Sequence, residues 1–445
     1  MDRLKMRKYK YKYNEERQGY NILILLVIAV MFIGCIVQPE LGTVQQDNNI
    51  RIITTNNNND YNRGQLNILA LGGSKTWGTG VGRPKETYPH LLGKYLNATR
   101  SDNLGIPASG SQHPAMCVQS MIRDHYNNEE EGDGISSANE IVYDVVLLEF
   151  STNDGLSDLH HSLKLLVRRI RLRYPNALII YVHTYHFGGY VEDLAKYERR
   201  QSNNNPLVHD NNNRRPFVYD GSRFAKINHV IVDEVGGMIY KFPTPNSVEE
   251  SVEQKQWFQD DMHHFSKKGH VKIALDLKRI ITEQMTRMNL DKHPPRDDDG
   301  GTWGRGDDCY SWYQTGNVPL NVKLSGGTMS HFTPFKYAYE VSSPSKTATL
   351  EFPSNEGSVI YLNYMTIGSI QQYPCVDISG LGIESRSHLR PESIPGNWHI
   401  SRIANLGVAT SDRIVLSVTP TEVKELPFRI IGVSACPACE DMGKS

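Results

Sequence analysis

Three apolar runs, interleaved with helical patterns, constrain the fold of this chain more than any other feature. The runs read LNILAL at 66–71, IVYDVVLLEF at 141–150 and LIIYV at 178–182. Apolar residues recur at helical spacing over 88–96 and 157–174. Strands that alternate with helices form right-handed βαβ units, whose parallel sheet is covered by helices. The pattern therefore predicts an α/β domain built on a parallel sheet.

Two further helical patterns extend this domain. They cover about 224–238 and 268–289, and we therefore place the α/β domain at 66–292. Inside it, the segment 198–216 contains two Asn triplets and two Arg pairs. This composition predicts a low-complexity insertion.

The character of the sequence changes after residue 292. Residues 293–308 are rich in Pro, Asp and Gly, which is typical of a linker. From 309 to 445 the apolar runs are short, turn residues separate them and no long helical pattern occurs. This region predicts an all-β, sandwich-like domain of antiparallel strands. Three tryptophans of the linker and this region can stack on sugars, although such residues more often belong to a core; they are Trp303, Trp312 and Trp398.

A charged tail and an uncharged apolar segment begin the chain. Residues 1–19 hold seven basic and three acidic side chains. Residues 20–37 read YNILILLVIAVMFIGCIV and are just long enough to span a bilayer as a helix. Because basic flanks stay cytoplasmic, we predict a type II signal-anchor, an Asn-rich stem at 38–65, and a luminal (endoplasmic reticulum or Golgi) or extracellular location for the rest. A cleaved signal peptide and a buried soluble helix are the alternatives.

Such a location is oxidising and permits disulfide bonds. Five cysteines follow the apolar segment, and an odd number leaves at least one of them without an intrachain partner: Cys117, Cys309, Cys375, Cys436 and Cys439. The C-x-x-C pattern at 436–439 favours a structural disulfide over a zinc or redox site, because no second C-x-x-C or spaced His pair accompanies it. An N-glycosylation sequon at Asn97 fits luminal exposure.

The overall charge argues against one class of partner. The chain contains 48 Lys and Arg residues against 49 Asp and Glu residues. Proteins that bind nucleic acids normally carry a basic excess, and we therefore expect no nucleic-acid partner. The sequence does not specify an oligomeric state.

A serine directly follows the first predicted strand, in Gly72-Gly73-Ser74. Open α/β sheets bind ligands at the carboxyl ends of their strands, and glycines there permit a tight turn. The surrounding residues match neither a phosphate-binding loop nor a dinucleotide fingerprint nor a G-x-S-x-G elbow. By itself the segment indicates either a plain turn or a nucleophile.

Two other segments contain the groups that a nucleophilic serine requires. Residues 260–264 read DDMHH and place carboxylates three residues before imidazoles, and a serine needs such a base held by a carboxylate. Residues 151–154 read STND, in which the Asn153 amide can donate to a developing oxyanion or belong to a turn. Metal binding is the alternative for the histidines, but adjacent side chains usually point in different directions and no H-E-x-x-H pattern accompanies them.

Together and in this order, the three segments resemble the SGNH hydrolases, also called the GDSL esterase/lipase family. The resemblance covers about residues 66–289. Residues 72–74 are similar to the family's Gly-Asp-Ser block, with Gly73 in place of Asp. Residues 151–154 are similar to its Gly-x-Asn-Asp block, with Ser151 in place of Gly.

The remaining two blocks of the family need a choice of alignment. Its Asp-x-x-His block fits either Asp260/His263 or Asp261/His264, and the Gly-His pair that the family places further on selects the second. Its oxyanion-hole block is similar to residues 103–110. We choose Gly110 as the backbone donor there, and a shorter alignment gives Ala108.

The resemblance implies a flavodoxin-like three-layer α/β/α sandwich and ester hydrolysis without a metal or other cofactor. Ser74 would be the nucleophile, His264 its base and Asp261 the residue that orients His264. The backbone N–H groups of Ser74 and Gly110 and the side-chain amide of Asn153 would bind the oxyanion.

Three functions compete at this point. The first is a serine esterase that hydrolyses carboxylic esters, for example O-acetyl groups on glycans, through an acyl-enzyme; its partner is an ester-bearing small molecule or an acylated glycan. The second is a membrane-anchored O-acyltransferase that passes the acyl group to a polysaccharide. The third is a non-catalytic glycan-binding protein on a degenerate hydrolase fold, which the departures at Gly73 and Ser151 favour.

Overall fold

The computed structural model describes most of the chain after residue 65. The described ranges are 66–107, 109–129, 141–154, 160–202, 222–288, 308–313, 316–333, 336–367, 372–383, 387–391 and 399–436, and they belong to one compact unit. Outside them lie the predicted tail, signal-anchor and stem (1–65), most of the 198–216 insertion, the linker up to residue 307, Trp303, Trp398 and Cys439. Within the described ranges, no helix combines the length and the apolar character that crossing a membrane requires.

Five parallel strands form the sheet of the α/β domain. They are β1 (Asn67–Gly72), β2 (Arg100–Asn103), β3 (Val145–Glu149), β4 (Leu178–His183) and β5 (Met238–Lys241). Their order across the sheet is β2-β1-β3-β4-β5, and every neighbouring pair is parallel. This order is that of a doubly wound sheet, in which the chain changes its direction of winding between β1 and β3. The predicted α/β class with a parallel sheet is confirmed.

Helices cover both faces of this sheet. The described ones are α1 (Ser74–Trp77), α2 (Tyr88–Leu96), α3 (Gln112–Glu129), α4 (Ser151–Asp154), α5 (His160–Arg173), α6 (Phe187–Ser202), α7 (Ser222–Glu234), α8 (Val248–Gln254) and α9 (Lys267–Met288). Successive strand residues face opposite sides of a sheet. Leu69 accordingly belongs to the core that contains Val167 of α5, whereas Ile68 belongs to the core that contains Leu277 of α9.

Three elements differ from what the sequence pattern predicts. The helix expected at 224–238 ends at Glu234, because Gly236 has a φ of 68° and the chain then enters β5. Helix α3 has no clear apolar stripe, since residues 115–118 are all buried between the α/β domain and the β-rich region. Strand β2 lies at the sheet edge and reads RSDN, so it carries no apolar signal.

The C-terminal region forms two antiparallel sheets. One contains β7 (Lys323–Ser325), β10 (Ala348–Pro353), β12 (Val376–Leu381), β13 (Ser387–Leu389) and β15 (Arg413–Pro420), in the order β13-β12-β15-β10-β7. The other contains β6 (Asp308–Ser311), β8 (Thr328–Thr333), β9 (Lys336–Val341), β11 (Val359–Ile367), β14 (His399–Val408) and β16 (Phe428–Cys436), in the order β14-β11-β16-β9-β8, with β6 also paired to β16. Leu416 and Ile430, one from each sheet, share a core. The predicted antiparallel β-rich region is confirmed.

The β-rich region packs directly on the α/β domain. Cys117 of α3 and Cys309 of β6 form a disulfide bond. Beside it, the Ser120 hydroxyl donates to the Cys309 carbonyl oxygen at 2.9 Å. Met116 of α3 and Ile431 of β16 belong to the same hydrophobic core. A covalent bond and a shared core therefore join the two parts.

Four other side chains named from the sequence have clear positions. Cys375 is a free thiol, and Cys436 is disulfide-bonded; its pairing with Cys439 stays a prediction, because Cys439 lies outside the described residues. Trp312 is fully buried and its indole N–H donates to a β16 carbonyl oxygen at 2.9 Å, so it is a core residue. Asn97 is exposed at the end of α2, and its glycosylation stays a prediction.

Candidate active site

The candidate site lies at the carboxyl edge of the parallel sheet, between β1 and β3. Where a doubly wound sheet changes its direction of winding, the connections diverge and leave a crevice in which such folds bind ligands. Ser74 follows β1, and Asn153 follows β3. The segments that contain Ser74 and Asn153 therefore meet at the crevice between the ends of β1 and β3.

Glycines shape the turn that presents Ser74. A Cβ built on Gly72 would lie 2.8 Å from the Glu149 carbonyl oxygen, so only glycine lets the ends of β1 and β3 approach this closely. The Gly73 N–H then donates to the same oxygen at 3.0 Å. Helix α1 begins at Ser74 and ends after one turn, because Gly78 adopts a φ of 92°. The turn therefore exposes the Ser74 hydroxyl at the edge of the sheet.

A short loop before α9 presents the imidazole. The Gln259 N–H donates to the His264 carbonyl oxygen at 2.8 Å and closes this loop. The Gln259 side-chain amide donates to the Thr79 carbonyl oxygen at 2.7 Å, which ties the loop to the turn after Ser74. Met262, inside the loop, has a φ of 55°, a left-handed conformation that is uncommon for residues other than glycine. The turn after β1 and the loop before α9, 180 or more residues apart in the sequence, are thus held side by side.

Ser74, His264 and Asp261 form a continuous hydrogen-bonded chain. Ser74 Oγ lies 2.9 Å from His264 Nε2, and His264 Nδ1 lies 2.6 Å from Asp261 Oδ2. Because a carboxylate only accepts hydrogen bonds, Nδ1 carries the proton and Nε2 offers its lone pair to the serine hydroxyl. His263 instead places its ring 4.8 Å from that of His186. The structure therefore brings together the Asp261/His264 pair chosen from the sequence.

The surroundings of the site favour a neutral imidazole beside an ionised carboxylate. Burial lowers the pKa of His264 below its ordinary value; Asp261 opposes this shift, and the charges of Lys75 and Lys336 add to it. Partial burial of Asp261 disfavours its charge, but hydrogen bonds from His264 and from the His263 N–H outweigh that effect and lower the pKa of Asp261. A general base must be unprotonated to accept a proton, and these shifts provide that state at neutral pH.

The segment around Gly110 is held by the residues that follow β3. Asn153 Nδ2 donates to the Ser109 carbonyl oxygen at 2.8 Å. Asp154 Oδ1 accepts the Ser111 N–H at 2.8 Å. Both neighbours of Gly110 are therefore fixed next to Asn153, and the two predicted oxyanion donors lie close together.

The Asn153 amide also reaches the turn before Ser74. A Cβ built on Gly73 would lie 2.4 Å from Asn153 Nδ2. A primary amide has two N–H bonds, and one of them is used by the Ser109 carbonyl oxygen. The other is available to a ligand oxygen beside the serine. Ala108, the alternative backbone donor, lies outside the described residues.

Ser151, which stands where the family has glycine, joins the ends of β3 and β4. Its hydroxyl donates to the Thr184 carbonyl oxygen at 2.9 Å and accepts the Thr184 N–H at 2.8 Å. Both residues are buried, and a buried backbone group without a partner is costly. Ser151 therefore satisfies the backbone after β4, and its departure from the family motif does not disrupt the site.

A buried lysine that no sequence motif indicated, Lys75, lies beside the nucleophile. Lys75 Nζ donates to the Tyr185 carbonyl oxygen at 2.6 Å and to the Thr152 hydroxyl at 3.0 Å. Burial lowers the pKa of Lys75 to about 8, against the opposing charges of Glu149 and Asp261. Burial also raises the pKa of Glu149, and Lys75 opposes that shift. The sequence held one sign of this buried charge pair, because Glu149 is a charged residue at the end of an otherwise apolar strand.

This arrangement is suited to acyl transfer. A hydroxyl bonded to a neutral imidazole is an activated nucleophile, and nearby N–H donors can stabilise an oxyanion. Among the described residues, no three His, Cys, Asp or Glu side chains gather as metal ligands.

Comparison with known proteins supports the fold. No model of a protein family matches the chain, and no curated protein matches it either. A two-domain esterase active on acetylated mannans, crystallised with mannopentaose, is 17% identical and superposes with a TM-score of 0.51 over 83% of this chain and 92% of its own. The chain has an SGNH hydrolase-like fold. The match extends beyond this fold's α/β domain, since it covers more of the chain than residues 66–292.

Two further solved structures are similar to the chain. A second structure of the two-domain esterase active on acetylated mannans is 16% identical, with a TM-score of 0.51 over 83% of this chain and 91% of its own. A lipolytic protein of the G-D-S-L family from Desulfitobacterium hafniense DCB-2 is 13% identical, with a TM-score of 0.33 over 48% of this chain and 99% of its own.

Proposed function

We propose that this protein is a serine esterase of the SGNH type that hydrolyses carboxylic esters. The observation that carries the proposal is the hydrogen-bonded chain of Ser74, His264 and Asp261, with contacts of 2.9 and 2.6 Å. The position of Asn153 beside the residue that precedes Ser74 adds an oxyanion donor. A non-catalytic binding protein does not require this alignment, and the geometry therefore favours an enzyme.

The proposed reaction has two steps that use the same residues. Ser74 Oγ attacks the acyl carbon while its proton passes to His264 Nε2, and Asp261 stabilises the imidazolium that forms. The oxyanion is bound by the Asn153 amide and by the N–H groups of Ser74 and Gly110. His264 then gives its proton to the alcohol oxygen, which leaves as the carbon–oxygen bond breaks. A water molecule, deprotonated by His264, attacks the acyl-enzyme and releases the carboxylic acid and Ser74.

The proposed substrates are O-acetyl groups on glycans. The similarity to an esterase active on acetylated mannans supports this choice, since the match covers both parts of the chain. The Cys117–Cys309 disulfide supports the proposal that the described part of the chain lies in an oxidising compartment, luminal or extracellular. The type II signal-anchor at 20–37 and glycosylation at Asn97 belong to the same proposal.

Acetate release tests the function. We expect the full chain to release acetate from 4-nitrophenyl acetate and from an O-acetylated glycan. The Ser74→Ala variant should lose about 10⁴-fold or more in kcat, because the nucleophile is removed. Ser345→Ala, which removes an exposed hydroxyl, is the matched control and should retain activity. Release of acetate at an equal rate by Ser74→Ala would contradict the mechanism.

The transferase remains a second reading of the same acyl-enzyme. A sugar hydroxyl would then replace water in the second step, and the acyl group would appear on the acceptor. Adding an unacetylated oligosaccharide to the reaction separates the two. The esterase proposal predicts that free acetate remains the main product.

A further inference from the structure

A buried lysine of the β-rich region, Lys336, exerts a charge effect on the His264 imidazole. Lys336, the first residue of β9, has only 6% of its surface exposed. Within the part of the chain that the structure describes, its ammonium has no hydrogen-bond or ion-pair partner. Burying an unpaired charge is costly, and proteins usually pair such groups. Lys336 therefore differs from Lys75, whose ammonium is held by a carbonyl oxygen and hydroxyls.

The start of β9 packs against the segment that leads to Gly110. The Tyr337 N–H donates to the Tyr313 carbonyl oxygen at 2.9 Å. The Tyr313 hydroxyl in turn donates to the Pro107 carbonyl oxygen at 3.2 Å, three residues before Gly110. These contacts hold the start of β9, where Lys336 lies, against the segment that leads to Gly110.

The effect of the Lys336 charge on His264 agrees with a position of this lysine close to the site. The charge of Lys336 acts on the His264 imidazole and contributes to lowering its pKa. Burial lowers the pKa of Lys336 itself to about 8, so the side chain is still mainly a cation at neutral pH. The charge of Lys336 is thus unfavourable in two ways. It is desolvated, and it opposes the protonation of His264 during catalysis. A bound anion would offset both.

We propose that Lys336 binds an anionic group of the substrate, and that the preferred substrate is an O-acetylated glycan that carries carboxylate or sulfate groups. The proposal rests on the esterase function and names its substrate class. An ammonium on a flexible stem is a suitable partner for either anion. The β-rich region would then contribute directly to substrate selection.

The test compares acidic and neutral esters. For the full chain we expect kcat/KM to be higher on O-acetylated polygalacturonate or an O-acetylated sulfated galactan than on O-acetylated mannan. Lys336→Met and Lys336→Gln should each reduce this acidic-to-neutral ratio at least tenfold. Lys323→Met, which removes an exposed lysine of β7, should change the ratio less than twofold. A ratio that is unchanged in both Lys336 variants would overturn the proposal, and so would a wild-type ratio of one or less on both acidic substrates.

A binding experiment separates this proposal from the esterase function. Isothermal titration of the full chain with unacetylated trigalacturonate, an oligomeric sulfated galactan and mannotriose needs no turnover. Binding of either acidic sugar that is weakened at least tenfold by Lys336→Met supports the anion site even if no ester is hydrolysed. If esters are hydrolysed but neither acidic sugar binds more tightly than mannotriose, the anion site is wrong and the esterase function stands. The two acidic sugars also distinguish a carboxylate from a sulfate ligand.

Discussion

The side-chain nitrogen of Asn153 occupies the space that a Cβ of residue 73 would need. The distance from a Cβ built on Gly73 to Asn153 Nδ2 is 2.4 Å. The family's usual Asp at this position therefore does not fit this backbone unless the Asn153 amide moves. The departure from Gly-Asp-Ser thus keeps the amide that we propose as an oxyanion donor close to the turn of Ser74.

Gly73→Ala should displace that donor. Loss of one oxyanion donor commonly lowers kcat by about 10²- to 10³-fold, and we expect a decrease of this order in 4-nitrophenyl acetate hydrolysis with KM little changed. Gly82→Ala is the matched control, because a Cβ there meets no atom within 4 Å. Equal activity of the two variants would show that Asn153 does not bind the oxyanion.

Ser151→Ala should affect stability more than chemistry. The Thr184 N–H and carbonyl oxygen lose a buried partner, which costs about 1–3 kcal/mol. Urea unfolding should show that loss in the free energy of unfolding, while Ser345→Ala should leave it unchanged. A variant that is as stable as the wild type but inactive would move Ser151 into the catalytic machinery.

The pH dependence should follow His264. Its base form is needed, so kcat/KM falls as the pH drops through the pKa of His264, which burial places below the ordinary 6.5. The acid limb of the profile should therefore have its midpoint below 6.5. Removing the charge of Lys75 removes one cause of that lowering, and the acid limb should move to higher pH.

The double variant Lys75→Met/Glu149→Gln gives the cleanest test of this shift. It removes both buried charges, whereas Lys75→Met alone leaves the Glu149 carboxyl without its opposing cation. The test is to determine kcat/KM from about pH 4 to about pH 9 for the double variant and for the wild type. A wild-type midpoint above 6.5, or a midpoint that moves down in the variant, would contradict the assigned electrostatics.

The disulfide between the α/β domain and the β-rich region should stabilise the folded chain. It closes a loop of 192 residues, and removing such a bond typically costs about 2–5 kcal/mol. Replacing Cys117 and Cys309 by Ser should lower the unfolding midpoint, whereas Cys375→Ser removes a free thiol and should not. Equal midpoints would show that the two parts are held together by packing alone.

The elements that the sequence predicted well are those whose burial follows a simple period. Strands β1, β3 and β4 are continuous apolar runs because both faces of the sheet are covered. Helix α3 lacks a clear stripe because it is buried on more than one side. Periodicity describes one buried face, so it fails where an element is buried between two parts of the protein.

The parts of the site that the sequence predicted are those whose functional side chains lie within short blocks of the chain. Ser74, Asp261 and His264 lie in short blocks with a fixed spacing, and the structure brings these three into contact. The roles of Lys75 and Lys336 depend on their burial, and no local sequence pattern indicates which lysine will be buried. The β9 alternation was a partial signal, since it places Lys336 on the same side as the buried Ala338.

Covalent labelling of Ser74 shows whether its hydroxyl is an activated nucleophile. The full chain is incubated with a serine-directed fluorophosphonate, and the adduct is located by peptide mass spectrometry. We expect labelling at Ser74 that is lost in Ser74→Ala and strongly reduced in His264→Ala, because Nε2 of that imidazole accepts the serine proton. Absence of label from the folded wild-type protein, or equal labelling of Ser74 in the wild type and His264→Ala, would contradict it.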